Sequence, residues 1–149
     1  MSLENLAKLG QLHPHKASPD EVGRLLAAAQ RNLTDAGRVE NSAETRFDCA
    51  YKAIMQCSLI ALMAAGYRPA TNAPGHHQTM IQVLPLTLGV DNATWIDLDG
   101  FRKKRNQNDY LGVAISQAEA QEAIAQATSL LAAVRSHLKS RHPQLSDRR

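Results

Sequence analysis

The sequence predicts an all-α protein, an antiparallel bundle of four to five helices, and three observations carry that expectation. Hydrophobic residues make up 44% of the 149-residue chain but aromatics only 4%. Strands draw on β-branched and aromatic side chains, so an Ala- and Leu-filled chain favours packed helices. Apolar residues recur at steps of three and four over several long windows. Two capping boxes, Ser18-Pro19-Asp20-Glu21 and Ser116-Gln117-Ala118-Glu119, mark helix starts. In each, a hydroxyl serves an amide three residues on and a carboxylate reaches back. The length suits one domain with a real core: an N-terminal segment over 1–17, the bundle over 18–142 and a basic tail over 143–149.

Residues 1–11 can form a short amphipathic helix on Leu3, Leu6 and Leu9, and His13-Pro14-His15 then reads as a linker. The main helices are expected near 18–38, 43–65, 76–88, 92–109 and 116–141. Val22, Leu25, Leu26, Ala29 and Leu33 give the first its apolar face. The second carries Phe47, Tyr51, Ile54, Ser58 and Ala61 on one face and Met55, Leu59 and Leu62 on another. It is apolar on most sides after Ala53, which makes it central, and Gly66 ends it. Residues 67–75 read as a loop from their Pro, Asn and Gly content. His76-His77 opens the third helix, which Pro85 should kink or split. Gly89-Val90-Asp91-Asn92 turns into the fourth. The last presents Ala120, Ala123, Ile124, Ala127, Leu131, Val134 and Leu138 to the core until Pro143 stops it.

A net charge of +3 is too small to imply nucleic acid by itself. Its distribution says more: Arg102-Lys103-Lys104-Arg105 form one cluster, and Arg135, Lys139, Arg141, Arg148 and Arg149 make the C-terminal end basic. Cys49 and Cys57, eight apart on one helix, lie about 12 Å apart along its axis, too far for a disulfide. No metal site or cofactor is expected, because neither His13/His15 nor His76/His77 has a third ligand at suitable spacing. The start of the chain has no signal-peptide pattern, and the apolar run from Ala53 to Ala65 is too short to span a bilayer. A soluble, cytoplasmic protein with no membrane association follows as the expectation.

One segment concentrates polar chemistry: Phe101-Arg102-Lys103-Lys104-Arg105-Asn106-Gln107-Asn108-Asp109-Tyr110. Trp95, Leu98, Arg102, Arg105 and Asp109 share one helical stripe that runs from core into something polar. Either the bundle opens onto solvent there or it buries a polar network. In the second case Arg105 needs acceptors, with Asp109 the nearest and Asp48 the next, and Arg46 or Asp48 faces Arg105 across the bundle. Tyr110 would then lie against apolar side chains, and Asn106 would bridge neighbouring backbone. Burial would make Arg105→Ala cost about 2–4 kcal/mol.

The chain resembles the HEPN superfamily (higher eukaryotes and prokaryotes nucleotide-binding), notably its small bacterial members. The likeness rests on Phe47-Asp48-Cys49-Ala50-Tyr51-Lys52-Ala53, on Pro74-Gly75-His76-His77, and on Leu98-Asp99-Gly100-Phe101-Arg102-Lys103-Lys104-Arg105-Asn106 before a final helix. The resemblance implies an HEPN-like bundle that homodimerises and acts with RNA, as a toxin–antitoxin or defence component. An antitoxin or a nucleotidyltransferase is the implied partner. Ribonuclease members pair an Arg and its polar follower with a His four to six residues later. Arg105-Asn106 matches the first part, but Tyr110, or Asp109 counted from Arg102, stands where the His belongs.

Arg105, Asn106, Asp109 and Tyr110 are therefore the candidate catalytic residues. Arg102, Lys103, Lys104, Arg46, His76 and His77 are the candidate binding residues. Cleavage through the 2′-hydroxyl needs a base near neutral pH, which His supplies and Tyr does not. Any activity is that of a metal-independent endoribonuclease, weak or absent for want of the His. The alternative is a non-catalytic dimeric scaffold that binds a protein partner. A nucleotide or phosphate binder ranks last, because no Gly-rich loop accompanies the cations.

Overall fold

A computed structural model describes residues 1–146. The expected Arg148 and Arg149 of the basic tail lie outside the described residues. The chain is mostly helical. Helix α1 covers Leu3–Lys8, α2 Pro19–Ala36, α3 Ala43–Ala64, α4 His76–Gln82, α5 Leu84–Thr87, α6 Asn92–Leu111 and α7 Gln117–Arg141. A 3-10 turn, Pro143–Leu145, follows α7.

Both capping boxes close. Ser18 Oγ accepts from the Glu21 amide at 3.1 Å while the Glu21 carboxylate accepts from the Ser18 amide at 2.9 Å, and Ser116 and Glu119 repeat this. The core forms around α3, whose Phe47, Ile54, Ile60 and Leu62 are almost wholly removed from water. Helices α2 and α7 flank it with Val22, Leu26 and Ala29 on one side and Ala123, Leu131 and Val134 on the other. By length and composition α3 could cross a bilayer, yet two-thirds of its apolar window is buried inside the protein (67%), as befits a core helix.

Two expectations need correction. First, a small two-stranded ribbon accompanies the helices of this all-α fold. Strand β1, Leu12–Pro14, pairs antiparallel with β2, Tyr67–Pro69, with Leu12 opposite Pro69 and Pro14 opposite Tyr67. The segment around His13-Pro14-His15 is thus half of a ribbon rather than a linker, and residues 67–69 are its other half. Proline suits the ends of such a two-stranded edge, where its missing N–H is not required. Burial of Leu12 in the main core supplies the driving force. His15 then binds the Glu21 carboxylate through Nε2 at 3.0 Å, tying the ribbon to the start of α2.

The 76–88 helix splits at Val83–Leu84, as Pro85 led one to expect, because the proline brings no N–H to continue the ladder. Second, the bundle is not antiparallel throughout. Arg46, near the start of α3, bonds to Gln117, the first residue of α7. These two long helices pack with their N-termini together and so run parallel. The excursion through α4, α5 and α6 returns the chain to the end of the molecule where α3 began. Among the described residues no three His, Cys, Asp or Glu gather as metal ligands would. Both cysteines are free, and burial pushes the Cys57 thiol up to about 12.

Candidate functional site

Helix α6 begins with the Asp91 carboxylate accepting from the Thr94 amide at 2.9 Å and ends at Gly112, whose φ of +67° favours glycine. Its first half is seated in the core by Leu98, fully buried, and by Phe101, which meets Phe47 edge to face with ring centroids 6.0 Å apart. One turn later the same face becomes polar.

Asp99 is buried, and Arg102 grips its carboxylate with both ends of the guanidinium, Nε at 2.6 Å and Nη2 at 3.3 Å. This bidentate pair raises the Arg102 pKa and fixes the side chain in one direction. Lys103 Nζ lies 3.8 Å from the same carboxylate while remaining exposed. The Arg105 guanidinium lies over the ring of Tyr51, 5.0 Å from its centroid, and its Nε is 3.6 Å from the Asp109 carboxylate.

Tyr51 comes from α3 and is buried. Its hydroxyl is 3.2 Å from Nδ1 of His77, brought in by α4. His76 packs edge-on to His77 with centroids 4.7 Å apart. Two arginines of α6, a phenol of α3 and an imidazole of α4 therefore meet on one face.

The electrostatics follow from that crowding. Loss of hydration, then His76, Arg105 and Arg102, lower the His77 pKa and keep the imidazole neutral at pH 7. Burial raises the Tyr51 pKa against the pull of Arg105 and Arg102, so the phenol keeps its proton. Loss of hydration also raises Asp48, with Arg105 pulling the other way. A neutral imidazole beside two cations can accept a proton. The cations can hold a phosphate or neutralise charge that develops on one.

Several sequence-derived candidates lie elsewhere. Arg46 does not face Arg105: it is buried 5% exposed, with Nε donating to Ala36 O at 2.8 Å and Nη1 to Gln117 Oε1 at 2.9 Å. Lys104 turns the other way and pairs with Glu119 of α7 at 3.1 Å. Tyr110 is 82% exposed rather than packed on apolar neighbours, because α6 has run past the body of the protein by that point. Asn106 is exposed, and the bridge to backbone comes from Asn108 instead, whose Nδ2 donates to Val113 O at 2.8 Å. Arg105 is only partly covered, its side chain 37% exposed, so it is no buried guanidinium.

Arg102, Arg105 and His77 are brought together, with His76 at the edge. Tyr51 and Asp99 were missing from the sequence-derived set. Asp99 stands three residues before Arg102 and four before Lys103, a spacing that signals a helical ion pair. Tyr51 was hidden because its apolar periodicity already accounted for it as core. Comparison with protein-family models, with curated proteins and with solved structures gives no match for this chain.

Proposed function

We propose that the face formed by Arg102, Arg105, Tyr51 and His77 binds the phosphodiester backbone of RNA, and that the chain is an HEPN-like, RNA-associated protein. The observation that supports this best is the meeting of two α6 arginines with an unprotonated imidazole around one tyrosine. Arg102 is held rigid by Asp99 and so offers its outer edge at little entropic cost. Arg105 is only partly covered and free to exchange its weak contact with Asp109 for a phosphate.

In this reading His77 stands in for the imidazole that α6 lacks. It accepts the 2′-hydroxyl proton as the 2′-oxygen attacks phosphorus, while the arginines neutralise the phosphorane. The leaving 5′-oxygen takes a proton from water, giving a 2′,3′-cyclic phosphate. With no acid fixed opposite His77, this activity is weak or absent, and RNA binding is the principal function. A cytoplasmic toxin–antitoxin or defence setting, with an antitoxin or nucleotidyltransferase partner, belongs to the same proposal.

The test is binding of a fluorescent single-stranded RNA by anisotropy. Arg102→Ala and Arg105→Ala should each weaken binding and lower its salt dependence by about one counterion. If both bind as the parent protein does, the reading is wrong. Should cyclic-phosphate product form, His77→Gln should remove it.

A second reading has its own support. Tyr110, Leu111 and Val113 stand 82%, 76% and 38% exposed at the end of α6. Such a patch suits a scaffold that docks a second copy or another protein there. Light scattering of Tyr110→Ser/Leu111→Ser against the parent separates the two: a dimer lost without loss of RNA binding places association, and not RNA, at this end.

A further inference from the structure

A groove of about 740 Å³ lies between α2 and α7, with Leu145 and Ser146 at the 3-10 turn also lining it. None of its lining residues belongs to the α3–α4–α6 face. Arg24 and Arg31 from α2 and Arg135 from α7 rim it, while Gly23, Leu26 and Leu145 contribute to its lining. All three arginines are exposed, and none forms an ion pair or side-chain hydrogen bond among the described residues. Asp20, four residues before Arg24, also lines the groove yet does not pair with it.

Gly23 gives a second, independent sign. It lies inside a helix, where glycine costs about 1 kcal/mol against alanine. A Cβ added there would meet nothing within 4 Å, so the fold itself does not call for glycine. What a side chain at this position would take up is room in the groove.

We propose that this groove docks an acidic amphipathic helix of a protein partner. Arg24 and Arg31 are seven residues apart, two turns of α2, which sets them about 10 Å apart along its axis. Carboxylates seven apart on a docked helix repeat at the same interval, whereas a lone phosphate cannot span it. Apolar side chains of that helix would enter beside Leu26 and Leu145, with Gly23 allowing close approach, as helix-in-groove recognition requires. Arg135 meets the opposite flank, and Asp20 repels a carboxylate at its end and so sets register.

The probe is a capped, fluorescent amphipathic peptide with two Glu seven residues apart beside a Leu/Ala stripe, and its control carries Gln in their place. Anisotropy should show saturable binding of the Glu peptide, at least about tenfold tighter than the control. Amide shifts should be confined to the neighbourhood of Gly23, Arg24, Arg31 and Arg135. Arg31→Glu and Arg135→Glu should each weaken binding about tenfold, equivalent to about 1.4 kcal/mol. Gly23→Gln should leave the melting temperature unchanged or raised and still abolish docking, which a purely structural glycine would not do. Arg105→Ala should bind the peptide as the parent does. Equal binding of the Gln control, undiminished binding by Gly23→Gln, or displacement of the peptide by inorganic polyphosphate or single-stranded RNA at lower concentration would each overturn the proposal.

Discussion

Arg46 and Arg105 carry the same guanidinium on neighbouring helices, and the fold uses them in opposite ways. Arg46 is enclosed. It donates to the carbonyl of Ala36, the last residue of α2 and one of the acceptors a helix end leaves unpaired, and to Gln117 at the first turn of α7. One side chain thereby joins three helices. Arg105 is one-third exposed, leans on Tyr51 and pairs with a carboxylate of its own helix. The difference teaches where a cation is available for a ligand: not where its bonds are most numerous, but where they are weak enough to exchange.

The largest effect expected is at Arg46. Arg46→Ala should lower stability by about 2–4 kcal/mol, since it leaves the Ala36 carbonyl unpaired and a void where three helices meet. Urea melts measure this. RNA affinity per folded molecule should stay at the parent value, and a melt close to the parent curve would erase the contrast between the two arginines. Asp99→Ala comes next. It releases Arg102 from its bidentate partner at about 1–2 kcal/mol, less than Arg46 because Arg102 can turn to water. It should also weaken RNA binding by loosening a cation without removing it.

The helices were legible because periodicity and caps are local. Ser18, Ser116 and Gly66 mark boundaries that the chain then observes to within a residue or two. The ribbon was not, because each strand is three residues long and its prolines carry the usual signature of a loop. Pairing Leu12 with Pro69 is a long-range fact that no window contains. At the site, the stripe Leu98, Arg102, Arg105 could be read from spacing alone, as could its passage from core to polar surroundings. Which face of α4 turns toward it could not. His76 and His77 point about 100° apart, and only the placement of α4 against α6 decides which one reaches Tyr51. The expectation for Tyr110 failed for a related reason: spacing gives a helix face, not how far the helix overhangs the body.

Arg105→Ala should cost less than about 1 kcal/mol, the ordinary range for a partly exposed ion pair and a single cation–π contact. The same substitution should reduce RNA affinity and flatten its salt dependence. Melting and anisotropy measured on one preparation sharpen the comparison with Arg46, because the two substitutions should move opposite readouts. A loss of stability as large as that at Arg46 would mean that Arg105 is structural after all.

The smallest effect concerns His77 and pH. Loss of hydration and the neighbouring cations hold its pKa below the ordinary 6.5 in the folded protein. As pH falls below 6.5 the unfolded chain takes up the proton first, so it binds more protons than the native state and stability declines. This contribution is full above the unfolded value and is lost as pH falls through the lower, folded one. His137 is depressed as well, by loss of hydration and by His142 and Arg141, and would add a slope of the same sign. The measurement therefore belongs in a His137→Gln background, with melting temperature followed downward from pH 7. His77→Gln should flatten the remaining slope in that window, by less than Arg105→Ala changes the melting temperature. Arg105→Ala should flatten it too, but only in part. Removing a cation that disfavours imidazolium lets the folded pKa rise toward 6.5, while loss of hydration, the larger cause, stays. A slope indifferent to Arg105 would separate the imidazole from the arginines and break the site into unrelated neighbours. A slope that responds to both substitutions ties α4 and α6 into one electrostatic unit, which the Arg46 corner, fixed by groups that do not titrate near neutrality, has no counterpart for.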